Sequence, residues 1–310
     1  MYDSYGRIIN YMRISVTDRC NFRCMYCMPE GLPVKLSHNA ILSFEEIADI
    51  AGAAAKLGIT KLRLTGGEPL LRKNITVLCD MLSNIKGINQ LCMTTNGYLL
   101  EEFAGKLRKS GVSRLNISLD TLNEEKFAYI TRGGDLKKVL SGIDAAIKNG
   151  FDIKLNTVLI DGFNIEEAGK LIKFAGDKNI RLRFIELMPI GAAADFDREK
   201  YVPVSEILAG TGAFFCGTDG VSKIYSTARG DKIGLISPVS DSFCQNCNKI
   251  RLTSDGKIKP CLHSKDEINI RGLKGEALES VLKSIIYNKP KKHNHTDKSD
   301  AIRNMNSIGG

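Results

Sequence analysis

Apolar and polar residues alternate loosely from position 7 to 16, with Ile8, Tyr11, Ile14 and Val16 on the apolar beat, which predicts a first strand. Ser43-Phe44-Glu45-Glu46 then reads as a capping box, and the Ala-rich helix behind it is expected to stop near Gly58. The same rhythm recurs. Strands are expected at 59–65, 90–95, 113–119, 152–160 and 180–188, and helices at 74–85, 99–110 and 164–177. Two more helical segments are expected to begin at Asn123 and Asp135.

Six strands alternating with helices before residue 190 imply a parallel sheet with right-handed crossovers. An open doubly wound sheet and a TIM-like barrel both satisfy that pattern. The polar residues favour the barrel. Cys20, Gly66-Gly67-Glu68, Thr94-Thr95-Asn96, Ser118–Asp120 and Glu186–Met188 all fall at the C-terminal ends of strands, the face on which barrel enzymes build their sites. The fold class expected is α/β: an incomplete TIM-like (β/α)6 barrel with a C-terminal extension covering its mouth. Past Gly191 the alternation breaks. Residues 202–208 resemble a short helix, and 211–237 are Gly-rich with short strand-like pieces. The expected division is 1–190 for the barrel, 191–288 for the covering region, and 289–310 for a mobile basic tail ending in Gly309-Gly310.

Composition narrows the class. Of 310 residues, 43% are hydrophobic, enough for a large core, yet no run approaches the roughly 20 apolar residues that cross a bilayer. The N-terminus carries no basic region followed by an apolar stretch, so the nine cysteines point to a reducing cytoplasm rather than to disulfides. A net charge of +9 suits a polyanionic ligand such as a nucleotide or a nucleic acid, although Lys289-Pro290-Lys291-Lys292 holds part of the excess.

The chemistry lies in two cysteine sets. Cys20, Cys24 and Cys27 share one short loop in Cys-x3-Cys-x2-Cys spacing. Three thiolates can hold a 4Fe–4S cube with one iron left open. A structural zinc site would want a fourth ligand, and the loop has no histidine, His38 being the first in the chain. Cys244, Cys247 and Cys261 form a second set in which Cys-x2-Cys also resembles a zinc ribbon, with His263 as a fourth ligand. Cys79, Cys92 and Cys216 read as packing residues. His293 and His295 fall in the polar tail and read as solvent-exposed.

The first loop, with Tyr26 before its last cysteine, resembles the cluster loop of radical S-adenosylmethionine enzymes. Gly66-Gly67-Glu68-Pro69 resembles the turn by which that superfamily holds the cofactor's amino group. More narrowly, the chain resembles the MoaA family, GTP 3′,8-cyclases of molybdenum-cofactor biosynthesis, across nearly its whole length. The marks are Arg13-Ile14-Ser15-Val16-Thr17-Asp18-Arg19-Cys20, Leu64 to Leu70, Arg183 to Pro189, Phe243 to Asn248, and the terminal Gly309-Gly310.

That resemblance implies residue roles. Cys20, Cys24 and Cys27 would bind the catalytic 4Fe–4S cluster, and Tyr26, Gly67, Ser118 and Met188 would contact S-adenosylmethionine. Arg13, Arg63, Thr94 and Lys154 would bind GTP. Cys244, Cys247 and Cys261 would hold a second 4Fe–4S cluster whose open iron meets guanine, with Lys249 and Arg251 beside it. Lys249 departs from the family pattern, which has arginine there; lysine keeps the charge but loses the planar fork. The chemistry implied is reductive cleavage of S-adenosylmethionine, removal of the ribose C3′ hydrogen of GTP, and closure of C3′ onto guanine C8. The Gly-Gly terminus would reach into the site. The resemblance further implies a low-potential electron donor, a downstream cyclic pyranopterin monophosphate synthase, and a homodimer, with no membrane or nucleic-acid partner. A peptide-modifying radical enzyme with an auxiliary cluster and a non-enzymatic metal module are the alternatives.

Overall fold

The computed structural model describes residues 1–28, 35–191, 200–209, 211–293 and 303–309. Six strands lie side by side in chain order and parallel: β1 (Tyr11–Ser15), β2 (Lys61–Thr65), β3 (Gln90–Thr95), β4 (Val112–Ser118), β5 (Asp152–Leu159) and β6 (Arg181–Glu186). Between them run α1 (Phe44–Lys56), α2 (Ile75–Ser83), α3 (Leu100–Lys109), α4 (Glu124–Thr131), α5 (Leu136–Lys148) and α6 (Ala168–Asp177).

Local chemistry sets the helix starts. Ser43 Oγ accepts from the Glu46 amide at 3.2 Å while Glu46 accepts from the Ser43 amide at 2.7 Å, so the capping box closes as expected. Asn123 and Asp135 cap α4 and α5 through their side-chain oxygens. The first strand is shorter than the alternation predicts. Arg7 is drawn away by Asp3, its Nε donating to Oδ2 at 2.6 Å, and pairing begins only at Tyr11.

Residues past 200 continue the same sheet on both sides. β9 (Lys232–Ile236) runs parallel to β6, and β10 (Lys249–Leu252) runs parallel to β1. Beyond β9 lie β8 (Ser222–Ser226) and β7 (Phe214–Asp219); beyond β10 lie β11 (Lys257–Lys259) and β12 (Ile268–Asn269), all antiparallel. The result is one 12-stranded sheet in the order β12-β11-β10-β1-β2-β3-β4-β5-β6-β9-β8-β7, curled but open between its two edges. Helix α7 (Gly275–Tyr287) packs on α1, and a last turn of helix, α8 (Met305–Ile308), returns to the barrel.

The core lies between sheet and helices. Met12, Ile14, Leu62, Leu64, Leu91, Met93, Leu115 and Ile117 face outward to the helix layer and are buried. Each such side chain contributes about 1.5–3 kcal/mol by leaving water. The alternate residues face the barrel interior, and there the usual apolar filling is replaced by Tyr11, Arg13, Lys61, Arg63, Thr94, Asn116, Ser118, Lys154, Asn156 and Arg183, which all line one cavity.

Candidate active site

The first cysteine loop is held by aromatic packing and backbone bonds. Phe22 wedges edge-on between Tyr98 and Phe127, at centroid distances of 5.6 and 5.8 Å. Arg23 and Met25 amides donate to the Thr131 and Ile130 carbonyls at the end of α4. The Gly66-Gly67-Glu68 turn is stitched to the same loop, the Gly67 amide donating to Thr17 O and the Glu68 amide to Arg19 O, each at 2.8 Å. A Cβ at Gly67 would overlap the Arg19 carbonyl, so glycine is required there by close approach.

The electrostatics of this end are acidic. Burial, then neighbouring thiols and carboxylates, pushes the Cys20 thiol to about 11 and the Cys24 thiol well above its ordinary value. Burial and Cys20 push Cys27 to about 12. Thiols in such surroundings ionise only when a positive group arrives with the ligand, as iron does. A cube, which takes each sulfur on its own iron, fits this donor set better than zinc.

Two carboxylates border the loop. Glu68 accepts from Leu70 N, Thr95 Oγ1 and Asn96 N at 2.7–3.0 Å, and burial, opposed by these bonds, raises it to about 7. Asp120 accepts from Tyr26 Oη at 2.6 Å and from Val158 N, and burial raises it to about 6. The other residues expected to contact the cofactor, Gly67, Ser118 and Met188, line the same wall.

The second set sits across the cavity in opposite surroundings. Cys244 and Cys247 flank a 3-10 turn, and Cys261 follows β11. Arg7 Nη1 donates to the Cys244 carbonyl at 2.8 Å, tying the N-terminus to this loop, and Lys289 Nζ donates to the Pro260 carbonyl. Burial pushes the Cys247 thiol up, but Lys289, Lys249 and Arg251 outweigh it and leave the thiol below its ordinary value. His293 differs from expectation: it is half-buried, its ring 4.6 Å from that of His263, and both line the cavity. His295 lies outside the described residues.

Between the cysteine sets runs a ladder of cations. Register pairs Lys249 with Tyr11 and Tyr11 with Lys61, and one step on pairs Arg251 with Arg13 and Arg13 with Arg63. Further round, Lys154 and Arg181 both hold Asp219 at the tip of the β7–β8 hairpin, and Arg183 donates to Asn156 Oδ1 at 2.8 Å. Burial first, then the neighbouring arginines, lowers Arg251 to about 9 and Arg183 to about 10. Thr94 Oγ1, in the same wall, is buried without a hydrogen-bond partner, as a hydroxyl awaiting a ligand would be.

The chain terminus enters this ladder. Arg303 is bound to Asp255 and Glu267, with Nη2 at 2.8 Å from each, and Asn306 Nδ2 donates to the Asp18 carbonyl at 3.0 Å. These anchors carry Gly309, at φ +72°, to the arginines: its carbonyl accepts from Arg13 Nε at 3.1 Å and from Arg251 Nη1. Gly310 lies outside the described residues.

Both cysteine sets, the ladder and the acidic pair therefore border one cavity of about 440 Å³. Lys61, Arg183, Tyr11 and Asp219 are site residues that the sequence reading does not single out. The signal was present: Lys61/Arg63, Arg181/Arg183 and Lys249/Arg251 are cations two apart on strands, which places both members of each pair on one face.

Comparison with known proteins agrees with this geometry. Residues 14–175 match the Radical SAM superfamily, and residues 180–295 match Molybdenum Cofactor Synthesis C. A GTP 3′,8-cyclase of Peptoclostridium acidaminophilum is 48% identical, over 100% of this chain and 98% of that protein. One of Alkaliphilus oremlandii is 46% identical with both chains covered to 100%. Among solved structures, Streptococcus suis SuiB bound to the precursor peptide SuiA superposes with a TM-score of 0.69 at 17% identity, covering 92% of this chain and 66% of that one, just under two thirds of its length. Native anSMEcpe with bound AdoMet superposes at 0.57 and 17% identity, covering 91% and 81%. Likeness at that identity shows the barrel fold alone.

Proposed function

The chain belongs to the GTP 3′,8-cyclase family of radical S-adenosylmethionine enzymes, and from that premise we propose how its cavity divides the work. The reaction is conversion of GTP to (8S)-3′,8-cyclo-7,8-dihydroguanosine 5′-triphosphate, the first step of molybdenum-cofactor biosynthesis. Cys20, Cys24 and Cys27 would hold a 4Fe–4S cluster, which when bound would supply the electron that cleaves S-adenosylmethionine.

The protein's own part is placement. Tyr26 and Asp120 lock the cysteine loop to the ends of β4 and β5, fixing the first cluster site relative to the barrel axis. Glu68 and Asp120, both anionic when ionised, favour the cationic ammonium and sulfonium of S-adenosylmethionine on this side. Gly67 lets its amino group approach the backbone, and Ser118 and Met188 complete the wall. Arg13, Lys61, Arg63, Lys154 and Arg183 form the cradle for the triphosphate, and the unpartnered Thr94 hydroxyl is a hydrogen-bonding group for the same substrate.

Cys244, Cys247 and Cys261 hold the second 4Fe–4S cluster in this reading, with Lys249 and Arg251 at the guanine end. Lys249 contributes charge there rather than a bidentate fork. Gly309 seats the two arginines that face the base. The single observation that carries the proposal is the shared cavity: two cysteine triplets facing each other across a basic ladder. A cytoplasmic setting and a low-potential electron donor belong to the same reading. A homodimer and delivery of product to a cyclic pyranopterin monophosphate synthase complete the reading.

Anaerobically reconstituted enzyme given S-adenosylmethionine, dithionite and GTP should form 5′-deoxyadenosine in a GTP-dependent manner, with GTP consumed. Cleavage of S-adenosylmethionine with GTP left intact would overturn the substrate assignment and point to a peptide substrate.

A further inference from the structure

Six residues on three adjacent strands face the cavity at the floor of the ladder: Lys249 and Arg251 on β10, Tyr11 and Arg13 on β1, Lys61 and Arg63 on β2. Five are cations. The sixth, Tyr11, is the one among them that can become an anion. Its hydroxyl accepts from Arg63 Nε at 2.7 Å and from Arg13 Nη1 at 3.5 Å, while Lys61 Nζ stands 5.0 Å and Lys249 Nζ 6.0 Å from its ring. Tyr11 is 6% exposed. Among the described residues, the groups that face it are Arg13 on its own strand, Lys61 and Arg63 on β2, Cys92 on β3, Arg183 on β6, and Lys249 and Arg251 on β10. Among the described residues, the carboxylates on the strands of this interior face, Asp152 and Asp219, are engaged by Arg114, Arg181 and Lys154.

Cations gathered this closely repel one another unless an anion sits among them. We infer that Tyr11 is a resident counter-ion of the substrate cradle, holding Arg13 and Arg63 in place as a phenolate and taking up a proton when the polyanionic substrate enters. Burial pushes the phenol up, but Arg63, Arg13 and Lys249 outweigh it and bring the group down to about 7. An arriving triphosphate neutralises those same cations and removes the field that keeps Tyr11 ionised, so the phenol returns toward its ordinary value of about 10. No bond other than O–H forms, and the proton comes from water.

The sign follows from linkage. Free enzyme above pH 7 has lost the proton that the complex needs, so affinity is greatest below pH 7 and weakens as pH rises through it. This inference rests on the cradle binding the GTP phosphates. Anaerobic titration calorimetry of the reconstituted holoenzyme with GTP, in HEPES and in Tris buffers, counts the protons exchanged on binding. GTP's own phosphates also exchange protons, but that share cancels between wild type and Tyr11→Phe. Wild type should take up about 0.5 more proton per site than Tyr11→Phe at pH 7 and about 0.9 more at pH 8, and its affinity relative to the variant should fall about fivefold over that interval.

Equal proton counts in the two proteins overturn the inference while leaving GTP binding intact. Absence of GTP binding overturns the substrate reading and this inference with it. Should Tyr11→Phe not accumulate as folded protein, Lys61→Gln serves: removing one cation near the ring should raise the pH at which affinity begins to fall, and an unmoved midpoint contradicts the assignment.

Discussion

The two cysteine sets offer the same three sulfurs and live in opposite fields. At the first, burial pushes up the thiols of Cys20, Cys24 and Cys27, and Glu68 beside Cys20 and Asp120 beside Cys24 add to it. At the second, Lys249, Arg251 and Lys289 surround Cys247 and hold its thiol down. Ligand identity therefore does not tell the two ends apart; the surrounding charge does. An acidic wall suits a cofactor carrying ammonium and sulfonium groups, and a basic wall suits a triphosphate nucleotide. The barrel makes both available at once because β10 lies parallel beside β1: the first loop leaves the C-terminal end of β1 and the second enters the N-terminal end of β10, so the two sets sit at opposite ends of one interior.

The comparison breaks most decisively at the first set. Cys24→Ser should abolish both S-adenosylmethionine cleavage and GTP consumption, by about 10³-fold or more, since the variant removes a proposed ligand to the group that would supply the electron. Retained cleavage, measured as 5′-deoxyadenosine, would mean that the catalytic site lies elsewhere. At the basic end, Arg251→Ala should weaken GTP use about 10²-fold in kcat/KM, in line with loss of a buried charged hydrogen-bonding group worth about 2–3 kcal/mol. Its GTP-independent cleavage of S-adenosylmethionine should stay within about twofold. Equal losses in both would show that the two ends are not separable.

Smaller effects sharpen the account. Arg303→Ala frees α8 from Asp255 and Glu267 and should lower GTP turnover about tenfold, because Gly309 then no longer seats Arg13 and Arg251. Unchanged turnover would separate the terminus from the site. Tyr26→Phe deletes the bond to Asp120 and should cost about 1–3 kcal/mol of local stability, read as slower cluster retention under chelator challenge with the fold's melting little changed. Loss of the cluster no faster than in wild type would remove that bond from the positioning of the loop.

Much of this was legible in the residues. The capping box at Ser43, the caps at Asn123 and Asp135, and the placement of Cys20, Gly67, Ser118 and Met188 at strand ends all follow from short-range chemistry. Long-range pairing was not. Nothing in 232–236 or 249–252 announces that these segments flank β6 and β1, because a strand's partner is chosen by packing across the sheet rather than by its own period. Helix α7 is absent from the expected elements although Leu278, Leu282 and Ile285 repeat at helical spacing. Tyr11 read as an ordinary strand former, its neighbours Lys61 and Lys249 being distant in sequence. His293 read as solvated from the basic composition around it; it is half-buried instead, its ring tilted against that of His263.

The division of labour between the two ends is tested most directly by Cys261→Ser. Reconstituted anaerobically and given S-adenosylmethionine, dithionite and GTP, this variant should retain about half of the wild-type iron and sulfide and continue slow formation of 5′-deoxyadenosine, with no GTP converted. Full GTP conversion in that variant would contradict the account.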